Sequence, residues 1–397
     1  MRRHLVGPRT EGLNLLRNEM FRNVIFIFYV VILFGCSRPD HKPSKEEDLK
    51  IDVLGAASTK TTSNGIPTIW MAEGGSKTTF IPFNHDKIWL SGAHALHTVG
   101  GRNMVYFGTE LIDGRTRVVL FTYDGKKILS DVVRLTLMTD REEYLYAYHT
   151  DAHGNLYLYA SSKTTGNRNI SYIYKIDNLL GIEMVKMPTD ISFAIFKTPT
   201  GLVSLKATYL HGAIEVSLSH QYRGIEKIMV DLTGYGELYV HSAYYNQMGR
   251  LVLLVSAVGN DDKKPSYVLF SLDPETRKVL RHVLNLPSER YSFGKGLMEG
   301  NILFVPGWER SANRAFYFRI DTQSDLGEIP VNRTELETDP QLSFTKASFL
   351  QRINGDIYVG GEQFGKGCYW KNGKMIHLES DPIIIRSYPI QFLPYKN

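Results

Sequence analysis

Residues 151–163 read DAHGNLYLYASSK: a turn glycine, Gly154, and then a short apolar and aromatic run that ends in polar residues. A run of that length between turn signals is a β segment. The same arrangement recurs along the chain, as GRNMVYFGTE from Gly101, GLVSLKATY from Gly201, GRLVLLVSA from Gly249, GNILFVPGW from Gly300 and GDIYVGGE from Gly355. Successive glycines are separated by 53, 47, 48, 51 and 55 residues. Each is preceded by a second β-like run: AHALHTV, YLYAYHTD, ISFAIFKT, HSAYYNQ, SFGKGLM and KASFLQRI. A third run follows in most repeats (RVVLFTYD, SYIYKID, SYVLFSLD, AFYFRID, GCYW). Asp124-Gly125 and Asn372-Gly373 mark hairpin turns, because Asn, Asp and Gly accept positive φ at low cost. Four antiparallel strands in each stretch of about 50 residues, repeated in series, predict an all-β chain folded as a β-propeller.

Six blades are legible, with eight as the other alternative to the favoured seven. The leftover segments IPTIWMAEG, KTTFIPF and DKIWLSG near the start, and PIIIRSYPIQFL near the end, supply the seventh. Closing a propeller with one blade shared between both termini leaves no open sheet edge.

The 397 residues are 43% hydrophobic and 22% charged, with 23 Tyr, 19 Phe and 4 Trp. That balance excludes disorder and a multi-span membrane protein, and the aromatic content suits pleated, half-buried surfaces. The net charge is +5, but residues 1–35 hold five Arg and two Glu; the remainder is near balance at +2. Nucleic acid is therefore not an expected partner. Two cysteines exclude a disulfide framework and a four-Cys zinc site.

Residues 24–35, VIFIFYVVILFG, are uncharged, follow Arg22 and end directly at Cys36. Twelve apolar residues fall short of the about 20 that span a bilayer and match the apolar region of a secretory signal. Leu33-Phe34-Gly35-Cys36 is similar to a bacterial lipobox, with Cys36 as the lipidated residue. Met20 is a candidate true start, since it gives the signal an ordinary length. The polar stretch SRPDHKPSKEEDLK then reads as a tether. The expected organisation is a lipoprotein signal over 1–35, a lipid-anchored tether over 36–60 and the propeller over 61–397. Its expected place is the outer membrane or surface of a bacterial cell, held there by the lipid alone. Cys368, in GCYW, reads as a buried, inert thiol.

In a propeller the turns between first and second strands share one face with those between third and fourth. The other two connections open on the opposite face, where ligands usually bind. The turn glycines mark the first face, so residues beginning a first strand or ending a second strand should surround the functional mouth. This places His94, Glu142, Tyr209, His211, His241, Arg290, Trp308, Arg310 and Glu362 there. Arginine grips a carboxylate bidentately, and aromatic rings cover sugar faces. His94 and His97 at i and i+3 point to opposite faces of a strand and do not form a joint metal site. No cofactor motif is present, and neither a cofactor nor a metal is expected.

The succession NMVYFGTELIDGRTRVVLFTYDG, DAHGNLYLYASSK, SLSHQYRGIEKI and YVHSAYYNQMGRLVLL, over roughly residues 85–290, resembles the BNR-repeat propellers, lipoproteins and secreted proteins that handle polysaccharides. The resemblance implies a polysaccharide partner, and its members include lyases that cleave uronate-containing glycans. Their histidine near the start of the second blade corresponds here to Asp140-Arg141-Glu142-Glu143, so those catalytic residues are not carried over. Expected is an envelope-anchored protein that binds an acidic polysaccharide and is an enzyme only under one of two schemes. A lyase would use His241 or His211 with Tyr209 as base and acid, and Arg290 or Arg310 on the carboxylate. A hydrolase would pair Glu142 with Glu362. Trp308 and His94 complete the expected binding set. The alternative is a non-catalytic propeller that holds protein partners at the envelope.

Overall fold

Leu156, Tyr157, Leu158, Tyr159 and Ala160 are all buried, in the second strand of a four-stranded antiparallel sheet. Leu156, Leu158 and Ala160 pack toward one neighbouring sheet, Tyr157 and Tyr159 toward the other. An unbroken apolar run is what a strand covered on both faces requires. This computed structural model describes residues from 50 to 395, apart from the connections 60–66, 74–76, 83–87, 99–100, 124–132, 135–141, 151–153, 164–168, 188–193, 199–200, 260–264, 287–290, 324–327, 340–343, 379–383 and single turn positions such as 211 and 310.

The chain opens with β1 (Lys50–Thr59), β2 (Pro67–Glu73) and β3 (Lys77–Pro82). The first blade is β4 (Ile88–Thr98), β5 (Gly101–Ile112), β6 (Arg115–Tyr123) and β7 (Val133–Arg134). The second is β8 (Glu143–Thr150), β9 (Leu156–Lys163), β10 (Asn169–Ile176) and β11 (Ile182–Lys186). The third is β12 (Ala194–Thr198), β13 (Gly201–Leu210), β14 (Ala213–His220) and β15 (Gly224–Asp231). The fourth is β16 (Tyr235–Tyr245), β17 (Leu251–Gly259), β18 (Pro265–Leu272) and β19 (Val279–Leu284). In the fifth the inner strand is split into β20 (Tyr291–Phe293) and β21 (Leu297–Glu299), both paired with β22 (Ile302–Glu309); β23 (Arg314–Asp321) follows. A short β24 (Glu328–Ile329) leaves the fifth blade to pair in parallel with β19, and β25 (Val331–Glu335) returns to complete it. The sixth is β26 (Thr345–Ile353), β27 (Asp356–Gln363), β28 (Lys366–Lys371) and β29 (Lys374–His377). The last strand, β30 (Ile384–Tyr395), pairs with β1, giving the sheet order β30-β1-β2-β3.

The sheets are blades in a ring. β8 packs on β6 and β12, β12 on β16, β22 on β26, β28 on β30, and β30 on β4. The fourth and fifth blades meet through the cluster of Val252, Leu254 and Leu269 with Leu303, Val305 and Phe318. Among the described residues there is no helix.

Gly154, Gly201, Gly249, Gly300 and Gly355 each sit between the first and second strands of a blade, with φ from +60° to +128°. That region strains any residue carrying a Cβ, which is why the repeat is visible as glycines. Asn372 and Gly373 form the expected turn, with φ of 50° and 87°; Asp124-Gly125 lies outside the described residues. Two expectations are corrected. Of DKIWLSG, the described residues 88–92 belong to the inner strand of the first blade, not to the terminal sheet. The folded unit begins at Lys50, because β1 occupies ten residues within the stretch read as tether. That stretch is a strand because KIDVLGAAST finds a ladder partner in β30, a long-range fact that local polarity does not carry.

Candidate functional site

Four of the inner strands share an irregularity. One extra residue interrupts the register between Leu90 and Gly92, Leu145 and Ala147, Val240 and Ser242, and Ala347 and Phe349. The partner residues stand at the same distance past the turn glycine in three of these blades. In the fifth blade the break between β20 and β21 falls at the corresponding level, opposite Val305 and Pro306. A bulge bends the strand and re-aims one side chain. In the fourth blade that residue is His241.

His241 Nε2 lies 2.9 Å from Ser256 Oγ. Its ring meets Tyr239 at 4.8 Å, Phe293 at 4.8 Å and Tyr267 at 6.4 Å, centroid to centroid. Burial among these rings pushes the imidazole pKa down to about 4, so His241 is uncharged at neutral pH. A neutral imidazole keeps a nitrogen lone pair open to accept a proton, although the lowered pKa makes it a weaker base than a free histidine, and it holds an anion poorly. Tyr209, from the end of β13, reaches over from the third blade and accepts a hydrogen bond from the Val240 N–H at 3.0 Å. Its own hydroxyl hydrogen stays available to donate. Tyr209 is 49% exposed and Tyr239 61% exposed. Behind them Tyr267 Oη accepts from the Tyr291 N–H at 2.7 Å, and Arg333 Nη1 donates to Tyr291 Oη at 3.2 Å. Three consecutive blades thus present Tyr209, Tyr239, His241 and Phe293 side by side.

Trp308 is half-buried near the end of β22, with Lys346 Nζ 5.5 Å above its ring. Its neighbour Glu309 is buried and held by Arg314 at 3.5 Å and by the Ser311 hydroxyl at 3.1 Å. Glu362 is half-buried on β27, opposite Lys346 in the ladder. Glu142 accepts a hydrogen bond from Tyr144 Oη at 2.8 Å, and the adjacent Glu143, fully buried, accepts one from Tyr172 Oη at 2.6 Å. Burial and that carboxylate raise the Tyr172 hydroxyl pKa far above its ordinary value. Glu142 directly precedes β8 of the second blade, and Glu362 lies on β27 of the sixth. His94 lies on β4 opposite Val105. Cys36, His211, Arg290, Arg310 and the side chain of His94 lie outside the described residues. Cys368 is buried in β28, and burial pushes its thiol pKa up, away from reactivity.

Sequence reasoning passed over Tyr239, Phe293, Tyr267 and Lys295. Tyr239 stands two residues before His241, and alternation along a strand would have placed both on one face. Phe293 and Lys295 lie in SFGKGLM, where two glycines around one lysine inside a β run signal a close backbone approach. Among the described residues no three His, Cys, Asp or Glu side chains gather at metal-binding distance.

No protein-family model matches the chain, and no curated protein does. Among solved structures, an ulvan lyase from a new polysaccharide lyase family is similar at 11% identity and a TM-score of 0.47, over 82% of this chain and 96% of that one. The polysaccharide lyase Uly1 aligns at 10% identity and a TM-score of 0.43, over 81% and 90%. The β-propeller domain of Nup133 from Vanderwaltozyma polyspora aligns at 10% identity and a TM-score of 0.41, over 87% and 91%. These likenesses concern the fold and leave the chemistry to the residues.

Proposed function

We propose that this chain is an envelope-anchored β-propeller that binds an acidic extracellular polysaccharide at the mouth where its inner strands begin. The ring in this reading has seven blades, the last built from β30 with β1, β2 and β3; the sheet order β30-β1-β2-β3 supports it. The observation that carries the function is the row of Tyr209, Tyr239, His241 and Phe293 across three blades, with both tyrosines open to solvent. Aromatic faces joined to hydroxyls match the alternating apolar faces and polar edges of sugar rings. Arg290 and Arg310, which lie outside the described residues, enter this reading from their places in the sequence alone.

The pair His241 and Tyr209 also fits elimination at a uronate. His241 would take the C5 proton, the bond from C4 to the glycosidic oxygen would break, and Tyr209 would protonate the departing oxygen. A second reading draws on the outer edge of the third blade, where Ile225 and Met229 of β15 are half exposed and Tyr222, in the turn before it, is 77% exposed. That patch suits a protein partner at the envelope.

Titration calorimetry with a panel of acidic polysaccharides tests the reading. Tyr239→Ala should weaken binding by about tenfold, the equivalent of ~1.4 kcal/mol. Ultraviolet absorbance of an unsaturated uronate, present in wild type and lost in His241→Ala, would add catalysis to binding. Failure of the wild-type protein to bind any member of the panel overturns the glycan reading and leaves the protein-partner one.

A further inference from the structure

The break in the inner strand of the fifth blade is made of Gly294, Lys295 and Gly296. Neither glycine has room for a side chain. A Cβ on Gly294 would overlap the carbonyl oxygen of Ser348, and one on Gly296 would overlap that of Phe304 and crowd the Tyr244 hydroxyl at 2.8 Å. The backbone here is held from three blades. Gly294 N–H donates to Pro306 O at 2.9 Å, and Lys295 N–H to Ser348 O at 2.8 Å. The Lys295 carbonyl accepts from the Leu350 N–H at 3.0 Å, and the Tyr244 hydroxyl accepts from the Gly296 N–H at 2.8 Å.

The Lys295 side chain leaves this rigid base and lies over the ring of Tyr148, with Nζ 3.5 Å from the centroid. Tyr148 belongs to the inner strand of the second blade. The second and fifth blades are not neighbours, so the contact crosses the interior of the ring. Lys295 is exposed, and among the described residues no carboxylate stands within ion-pairing distance of its ammonium. A buried cation of the core would be paired; this one is positioned by an aromatic face and left open. His241 occupies the equivalent bulge on the neighbouring blade but is neutral, so it does not supply the charge that an acidic ligand needs.

We propose that Lys295 is the residue that binds the negatively charged group, a carboxylate or a sulfate ester, of the glycan held at the mouth, with Tyr148 keeping the ammonium in place. This assignment rests on the glycan reading above.

Titration calorimetry on the purified protein with a uronate tetrasaccharide, a sulfated tetrasaccharide and a neutral one of equal length tests it. Lys295→Met should weaken the charged ligand it serves by about tenfold or more, leave the neutral ligand unchanged and keep the wild-type Tm. The charged arm that responds identifies carboxylate or sulfate. Lys295→Arg, which keeps the charge, should bind within about threefold of wild type. Unchanged affinity for both charged ligands in Lys295→Met overturns the proposal while the glycan reading stands. So does an equal loss for charged and neutral ligands, or a fall in Tm, since either would make Lys295 a structural tie between blades. If wild type binds no oligosaccharide, equilibrium dialysis against labelled inorganic sulfate decides. Sulfate held by wild type and lost in Lys295→Met keeps the anion site without the glycan, and no sulfate bound ends it.

Discussion

A histidine enclosed by Tyr239, Phe293 and Tyr267 cannot gain charge without losing much of its hydration, and this makes His241 a measurable contributor to acid stability. Its pKa falls from 6.5 to about 4 on folding. Between those values the unfolded chain binds more protons at this site than the folded one, so stability falls as the pH drops through that window. Above pH 6.5 and below pH 4 the site adds no slope. The full loss is of order 3 kcal/mol, at 1.36 kcal/mol per pKa unit. His241→Phe keeps a ring in the cluster and removes the proton site. Urea unfolding of wild type and variant should diverge from pH 6.5 down to pH 4 and run parallel above, with the variant losing less. Parallel curves throughout that window would mean that the imidazole is not enclosed as described. The sequence placed this residue near the top of an inner strand. It gave no hint of the bulge, because an extra residue is defined by the partner strand and not by the strand that carries it.

At the scale of the element, second strands are the most legible parts of the chain and outer strands the least. A second strand is covered on both faces, so β17 reads as the continuous LVLLVSA, every member buried except Ser256. An outer strand such as β15 has one covered face, with Ile228 and Val230 inward and Ile225, Lys227 and Met229 outward. Its apolar residues on both sides blur the period-two signal. Turns are legible when their residue types are restricted by φ. Asn372 is the clearest case. At φ of 50° it accepts a hydrogen bond from the Ile357 N–H at 2.8 Å and donates one to Asp356 at 2.7 Å. Asn372→Ala should destabilise by about 2–3 kcal/mol, the sum of left-handed strain and one net hydrogen bond. Asn372→Gly should lose only the hydrogen-bond part. Equal stability of the two variants in urea would show that backbone strain is not a component. The sixth-blade hairpin between β27 and β28 turns at Phe364 and Gly365, with φ of 51° and 78°. Sequence reading misses the position because phenylalanine seldom occupies that conformation.

For the whole molecule, the ring is held by clusters that each belong to two blades. Leu205, Val216 and Val230 of the third blade pack with Leu251, Leu253 and Val268 of the fourth. Ala315 and Tyr317 of the fifth pack with Val359, Cys368 and Trp370 of the sixth. No blade can bury both faces by itself, so stability is shared around the ring. The ladder between β1 and β30 joins the two ends of the folded unit and removes the edges an open ring would expose. If Cys36 is lipidated, Cys36→Ser should move the protein from the membrane fraction to the soluble one, or leave it as unprocessed precursor, with the fold unchanged. Normal lipid labelling of that variant removes the anchor from the proposal.

The sequence alone determined what depends on local geometry. Glycine at positive φ, apolar runs between turns and their return every fifty residues or so are each enforced within a few positions of the chain. Together they specify a β-propeller. The tertiary structure alone decided which residues meet. Tyr209 reaches the Val240 N–H beside His241 from the blade before, and Lys295 reaches Tyr148 across the interior of the ring. Side chains that converge in a propeller come from segments about fifty residues or more apart. Their meeting depends on blade rotation, on the register of each ladder and on the inserted residue that four of the inner strands carry, none of which is set by the residues concerned alone.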